Sequence, residues 1–201
     1  SDCVVVEDAV SGVEAGKAAG AYVIAVTTTF TGNALVSAGA HMLIPYIGKL
    51  PAAIEALEAG LTVNFSLREG VSGMDFERVT ALLAQMPWSR GISRAEVEKG
   101  AENSTLVIGA FEGERQIGYA RALSDKTRFC YLMDVAVDPD CRMKGVGRAM
   151  VARILNHPEL SGVYQWLLFT SSAQEFYKGL GFEPTKKAQN WMEIRRDRPD
   201  R

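Results

Sequence analysis

The sequence predicts an α/β protein in two parts. Residues 1–60 read as half of a parallel sheet with crossover helices, and residues 61–201 as an α+β part with a mixed, mainly antiparallel sheet. Three observations predict this. The front carries short β-branched runs, "CVVVED" and "YVIAVTTT", separated by an alanine-rich stretch, the rhythm of buried strands joined by helices. The back carries longer runs, several of them alternating and two joined by a tight turn, as antiparallel strands do. Charge and aromatic content also change: residues 1–60 hold two Lys/Arg against six Asp/Glu, residues 61–201 hold twenty against eighteen, and Trp88, Trp166 and Trp191 all lie in the second part.

In the front part, "SGVEAGKAAGA" is helical, with Ser11 available as its cap. A Gly-Asn loop at Gly32–Asn33 leads to a short third strand in "HMLIPYI". The closing helix "LPAAIEALEAG" has Pro51 near its start and Gly60 past its end. A short linker near 58–62 follows. In the back part, "LTVNFSLRE" alternates as a strand with one packed face. "MDFERVTALLAQM" places Phe76, Val79, Leu82, Leu83 and Met86 at helical spacing. Ser93 and Glu96 form a capping box at the start of "SRAEVEKGAE". Two strands turn at Glu112-Gly113-Glu114, "RFCYLMDVAVDP" is a third, and a helix follows it. "VYQWLLFT" is a strand, "AQEFYKGLG" a helix, and "NWMEIRR" a last strand.

The net charge of the 201 residues is only −2, which excludes a bulk polycation for nucleic acid. No apolar run reaches the roughly 18 residues of a membrane span, and no charged-then-apolar leader is present. Cys3, Cys130 and Cys141 cannot all pair and show no zinc spacing, which suits reduced thiols in a cytoplasm. The chain opens at Ser1 directly into a strand, as a piece of something longer would.

The stretch "DPDCRMKGVGRAMV" carries the most chemistry. Arg142, Lys144 and Arg148 surround Gly145 and Gly147 between an apolar strand and a helix. A helix start presents unpartnered N–H groups and partial positive charge, and glycine lets an anion approach the backbone. A phosphate site and a solvated basic turn are both open on the motif alone. The spacing is neither a Walker loop nor a three-glycine dinucleotide fingerprint.

Its setting resembles the GNAT family, the GCN5-related N-acetyltransferases, whose acetyl-CoA loop is [QR]-x-x-G-x-[GA] after a strand often ending in V-x-P. "VAVDPDCRMKGVG" fits it. The second family signature is similar to "WLLFTSSAQEFYKGLGF", with Ala173, Tyr177, Gly181 and Phe182 in place. "NWMEIRR" and "PWSRGISRAEVE" look similar to a bacterial subgroup. The resemblance covers about 62–196 and departs at Thr170, where many relatives have asparagine. It implies acetyl transfer from acetyl-CoA to an amine in a ternary complex, with no metal. Backbone N–H groups of Met143, Lys144, Gly145, Val146, Gly147 and Arg148, with the charge of Arg142, would hold the pyrophosphate. Ala136 and Val137 would pair with the pantetheine, and Thr170 and Ala173 would stand near it. Tyr177 is the implied general acid. A small-molecule or peptide amine is the implied acceptor, with no nucleic acid or membrane partner, and a homodimer is compatible with the resemblance.

For the base, Asp134 sits among Leu132, Met133, Val135 and Val137, where burial raises a carboxylate's pKa. It is equally readable as a structural carboxylate. Glu193 is a second candidate, and ordered water a third. Trp88, Arg90 and Trp191 are candidates to line an acceptor pocket, although core packing is the commoner use of tryptophan. His41 and His157 fall in no catalytic pattern, His157 closing a helix end, and Cys130 and Cys141 lack a partner histidine.

"VVVEDAVSGVEAGKAAGA" resembles the last motif of haloacid-dehalogenase (HAD)-type phosphatases of the phosphoglucomutase-like subgroup, with a Rossmann-like parallel sheet. Glu7 and Asp8 stand where such enzymes hold magnesium. The resemblance covers residues 1–58 and includes neither the D-x-D nucleophile nor the lysine motif, so no phosphatase activity is expected from them.

Overall fold

The computed structural model describes residues 3–58, 65–186, 188–194 and 196. The expected linker near 58–62 and the expected stop at Gly60 lie almost wholly outside the described residues. Two compact units are present, Ser1–Leu168 and Phe169–Arg201. The first holds both sheets.

Strands β1 (Val4–Glu7), β2 (Tyr22–Val26) and β3 (Met42–Ile44) form a three-stranded parallel sheet in that order. Helix α1 (Val10–Ala18) joins β1 to β2, α2 (Gly32–Ala38) joins β2 to β3, and α3 (Leu50–Glu58) follows. The β2 run is apolar throughout because both faces are covered: Val23 and Ala25 pack with Val13 and Leu35, while Ile24 and Val26 pack with Ile44 and Ala53. Two local expectations are corrected. Ser11 lies inside α1, which starts at Ala9 without a side-chain cap. Gly32 and Asn33 form the first turn of α2 and not a loop, because the Thr31 hydroxyl accepts from the Ala34 N–H and caps a helix there.

The second sheet has the order β4 (Ser66–Glu69), β5 (Leu106–Glu112), β6 (Arg115–Ser124), β7 (Phe129–Val137) and β8 (Gln165–Leu167). Pairing is antiparallel up to β7, and β8 runs parallel to β7. Helices α4 (Phe76–Ala84) and α5 (Arg94–Glu102) cover one face: Val79, Leu82, Leu83, Val97 and Ala101 pack on Val107, Tyr119 and Ala136. The Ser93–Glu96 capping box is present in both directions. Helix α6 (Val146–Leu155) follows β7 and packs on the sheet where Gly118 has no side chain. A Cβ on Gly118 would stand 2.8 Å from the Met150 Cε.

Among the described residues of the expected closing strand "NWMEIRR", none is in a strand. Residues 188–190 make a 3-10 turn, and Trp191–Ile194 are irregular, with Met192 and Ile194 largely exposed. An alternating segment becomes a strand only with a ladder partner, and among the described residues this one has none. "VYQWLLFT" shortens to Gln165–Leu167.

A polar network ties α4 to the end of β7. The Asp138 carboxylate, almost fully buried, accepts from Arg78 and from Arg115 (2.7 Å), and from the Asp140 N–H (3.2 Å). Arg78 also donates to the Gln116 carbonyl (3.2 Å), and the Gln116 side chain accepts from the Asp75 N–H (2.8 Å). Burial opposes the charge on Asp138, but the Asp140 N–H and the Arg115 and Arg78 guanidiniums outweigh it and hold the carboxyl below its usual range. A depressed folded pKa gives stability that is present above the unfolded value of about 3.9 and is lost as pH falls through the folded value. Asp138→Asn is therefore expected to cost on the order of 2 kcal/mol in urea unfolding at pH 7. The gap between the two proteins should hold to about pH 5 and narrow below pH 4. A second test concerns Tyr119, fully buried, whose hydroxyl has no hydrogen-bond partner among the described residues. Tyr119→Phe is expected to leave the unfolding midpoint unchanged or raise it, because the desolvated hydroxyl is lost without a bond being broken. A loss beyond about 1 kcal/mol would mean that it is bonded.

Candidate active site

Two features of the first unit lie end to end along the chain. The first is the course of β7. It pairs with β6 from Cys130 to Val137, but with β8 only at Phe129, Cys130 and Tyr131. Beyond Tyr131 the edge that faces β8 has no ladder partner among the described residues. The Asp138 N–H donates to the Ile117 carbonyl of β6, so by strand alternation Val137 turns its backbone N–H to the open edge, where it can pair with an extended ligand, and Ala136 beside it faces β6. One extra residue enters β7 between the Tyr119–Ala136 and Arg121–Met133 pairs. Asp134 lies in this bulge with φ +53°, a left-handed conformation that Asp tolerates better than most residues. Its carboxylate accepts from Arg121 Nε at 2.6 Å, and both side chains are about 85% buried, at 15% and 14% exposure. Arg121 also reaches the Gly100 carbonyl and the Ser104 hydroxyl at the end of α5. This engagement favours the structural reading of Asp134.

The second feature is the turn from β7 into α6. Asp138 caps a 3-10 turn, Pro139–Cys141, and Arg142 donates to the Val137 carbonyl at 3.1 Å. Met143 (φ +59°) and Gly145 (φ +83°) are both left-handed, and Gly145 is the N-cap of α6 with no side-chain cap. A side chain there would take the place of an incoming acceptor. Instead, the first-turn N–H groups of Val146 and Gly147 have no acceptor within the helix and face its open end. Met143 is fully exposed, Arg142 is exposed, and Lys144 and Arg148 are partly buried.

The second unit holds Thr170, Ala173 and Tyr177. The Thr170 hydroxyl accepts from the Ala173 N–H (3.0 Å) just before α7 (Gln174–Lys178). This bond fixes the turn that leads into α7, at the residue where the chain departs from its resemblance. Tyr177 lies between Phe176 and Phe182, with ring centroids at 4.8 and 5.8 Å. Burial pushes its hydroxyl up to about 12, so it is protonated at neutral pH. Glu193 and Trp191 are exposed in this unit, and Trp88 is half-exposed in a 3-10 turn of the first unit, so neither candidate tryptophan is core.

The remaining candidates are engaged elsewhere. His41 Nδ1 accepts from the Val23 N–H (2.9 Å), its ring stacks on Tyr22, and burial with nearby Lys17 lowers its pKa. His157 follows α6 and caps the next turn through the Glu159 N–H. Burial pushes the Cys130 thiol up to about 11 and raises Cys141 as well, which leaves them poor nucleophiles. Asp8 accepts from the Thr29 hydroxyl at 2.7 Å, and no cluster of three metal-ligating side chains occurs among the described residues. No helix among them is long and apolar enough to cross a membrane. The sequence reading missed Asp138, Arg78, Gln116, Arg121 and Tyr119. Asp138 stood inside the quoted loop, yet nothing in one sequence pairs it with arginines 60 and 23 positions away.

Comparison with known proteins bears on the family and the fold. Residues 103–184 match the family model "Acetyltransferase (GNAT) domain". A solved GNAT-family protein of Xanthomonas campestris pv. campestris is 32% identical over 67% of this chain and 94% of its own, with a TM-score of 0.63. An aminoglycoside N-acetyltransferase solved in complex with CoA shares the fold, with 19% identity over 68% of this chain and 96% of its own and a TM-score of 0.52. Among curated proteins, GCN5-related N-acetyltransferase 1, chloroplastic, of Arabidopsis thaliana is 25% identical over 59% of this chain and 61% of its own. The chain thus spans about three fifths of the length of the first curated relatives it matches. With a GNAT-family relative 32% identical and covered over 94% of its length, and the family model matching residues 103–184, the chain belongs to the GNAT family of acetyltransferases.

Proposed function

We propose that this chain moves an acetyl group from acetyl-CoA to a primary amine, both substrates being bound together. The observation that carries this reading is the open edge of β7 leading directly into the left-handed turn at the mouth of α6. An extended pantetheine pairs with a strand edge as a peptide would, and its diphosphate lies where helix N–H groups converge. In this reading the backbone of Val137, with Ala136 beside it, holds the pantetheine, and an N–H there polarises the thioester carbonyl as charge develops on its oxygen. Residues 143–148 hold the diphosphate, with charge from Arg142, Lys144 and Arg148. The amine attacks the carbonyl, the tetrahedral intermediate collapses, and the CoA thiolate leaves with a proton from Tyr177. Thr170 and Ala173 shape the approach to Tyr177. A fold neighbour solved with CoA supports the choice of cofactor, and no metal is required for these steps.

The ammonium must lose its proton before it attacks. Asp134 is bound to Arg121 at 2.6 Å, so we assign it chiefly to fixing the bulge, with ordered water or Glu193 taking the proton. The acceptor class is a small-molecule or peptide amine, and reduced thiols support a cytoplasmic setting. For the front part we propose derivation from the tail of a HAD-type domain, a reading with which the three-stranded parallel sheet is compatible; Glu7 ends β1 and Asp8 follows it. Residues 1–60 contain no D-x-D, so phosphatase chemistry would need such a motif elsewhere in a longer, bifunctional chain.

An acceptor screen that follows release of free CoA thiol tests the activity. Turnover with at least one amine is expected, and binding of acetyl-CoA without turnover on any amine would favour a non-catalytic binding module. Tyr177→Phe is expected to lower kcat roughly 10²-fold with little change in the KM for acetyl-CoA. Because burial keeps the Tyr177 hydroxyl protonated until about pH 12, kcat/KM should rise as the acceptor deprotonates. No falling limb from Tyr177 should appear below pH 10. Gly145→Val forces a β-branched residue into a conformation of φ +83° and is expected to remove CoA binding measurable by calorimetry. Retained binding would locate the diphosphate away from this turn.

A further inference from the structure

A helix that packs on one face of a sheet needs to bury one stripe, yet α6 is buried nearly all round. Val146, Ala149, Met150, Val151, Ala152 and Ile154 are all buried. The sheet accounts for Met150, which fills the space over Gly118. The front segment accounts for a second stripe. Val36 of α2 packs on Ala149 and Ala152, and the Ser37 hydroxyl donates to the Ala152 carbonyl at 3.3 Å. The chain leaving α2 then brings the His41 carbonyl oxygen to 3.7 Å from the point where a side chain on Gly145 would begin. The front segment therefore touches α6 at its middle and at the mouth of the candidate anion site.

This support is itself fixed. Gly39 ends α2 in a left-handed turn (φ +111°), and the Lys17 side chain lies across it, with Cδ 2.2 Å from where a Cβ would stand. His41 is pinned by the Val23 N–H and by the Tyr22 ring. The region matched by the family model, residues 103–184, contains α6 but none of these groups.

We propose that the front segment is a built-in support for the cofactor turn, so that docking of α2 on α6 and binding of a nucleotide diphosphate at Gly145 favour each other. The inference rests on the acetyl-CoA reading above. Its physical basis is the cost of order. A turn with two left-handed residues pays conformational entropy when a ligand fixes it, and a wall that fixes it beforehand removes part of that cost. Such coupling is reciprocal: whatever α2 contributes to CoA affinity, CoA returns to the docking of α2.

Amide hydrogen exchange on the full chain, with and without saturating CoA, tests this. Amides of Gly32–Ala38 are expected to slow roughly fivefold or more when CoA binds. A second arm uses Val36→Asp, which sets a charge against Ala149 and Ala152, and Val36→Ile, which keeps the contact. The first should weaken CoA binding roughly fivefold or more while exchange in β5 and β6 stays slow, and the second should bind as the wild type does. CoA binding to the wild type with no change in α2 exchange would overturn the proposal, as would unaltered affinity in a folded Val36→Asp chain. If Val36→Asp does not fold, the wild-type exchange result decides. Failure of the wild type to bind CoA at all is a different outcome, which removes the acetyl-CoA reading and this inference with it.

Discussion

A single inserted residue in β7 governs the layout of the second sheet. Without it, β6 and β7 would continue in one register and every side chain after Met133 would face the opposite side. The insertion is held by an ion pair: Asp134 is left-handed and gripped by Arg121, which in turn leans on the end of α5. Past this point β7 runs on toward Asp138 with one edge paired to β6 and the other without a ladder partner among the described residues. Asp138 then turns the chain through a 3-10 turn into the glycine-capped helix. Strand edge, turn and helix mouth follow each other within 13 residues, Asp134 to Val146, and each is positioned by a polar contact to an arginine or to the backbone.

Local devices were legible in the sequence. The capping box at Ser93 and Glu96, the turn at Gly113 and the glycine loop at 145 depend on neighbours a few residues away, and all were readable from spacing. The apolar period of α4 found its core residues for the same reason, Val79, Leu82, Leu83 and Met86 all being buried. What escaped was long-range pairing between polar groups. Asp138 with Arg78 and Arg115, Asp134 with Arg121, and Gln116 with Asp75 each join segments far apart in the chain, and no periodicity marks them. Ser11 and the Gly32–Asn33 pair failed differently. Residue preference at caps is a bias of about 1 kcal/mol, which the crossover geometry overrode at Ser11, whereas Gly32 and Asn33 became helical because Thr31 caps the turn they begin. The closing run at 191–194 had the composition of a strand and has no ladder partner among the described residues.

The two sheets share one compact unit, although charge and aromatic content divide the chain near residue 60. Their joint sets the small residues Ala149 and Ala152 against Val36, with Leu43, Phe65 and Leu67 packed around them. Ala149 and Ala152 let α2 approach closely, and the serine at 37 satisfies a carbonyl that the approach would otherwise strip of water. A seam between parts of different composition therefore has the packing of an interior.

The empty place at Gly118 has a consequence beyond packing. Because Met150 occupies the volume that a side chain would take, the sizes of these two residues are linked, and the spacing between α6 and the sheet is set by their sum. Among descendants of this sequence, a larger residue at one position is tolerable only alongside a smaller one at the other, so the pair should drift together over evolutionary time.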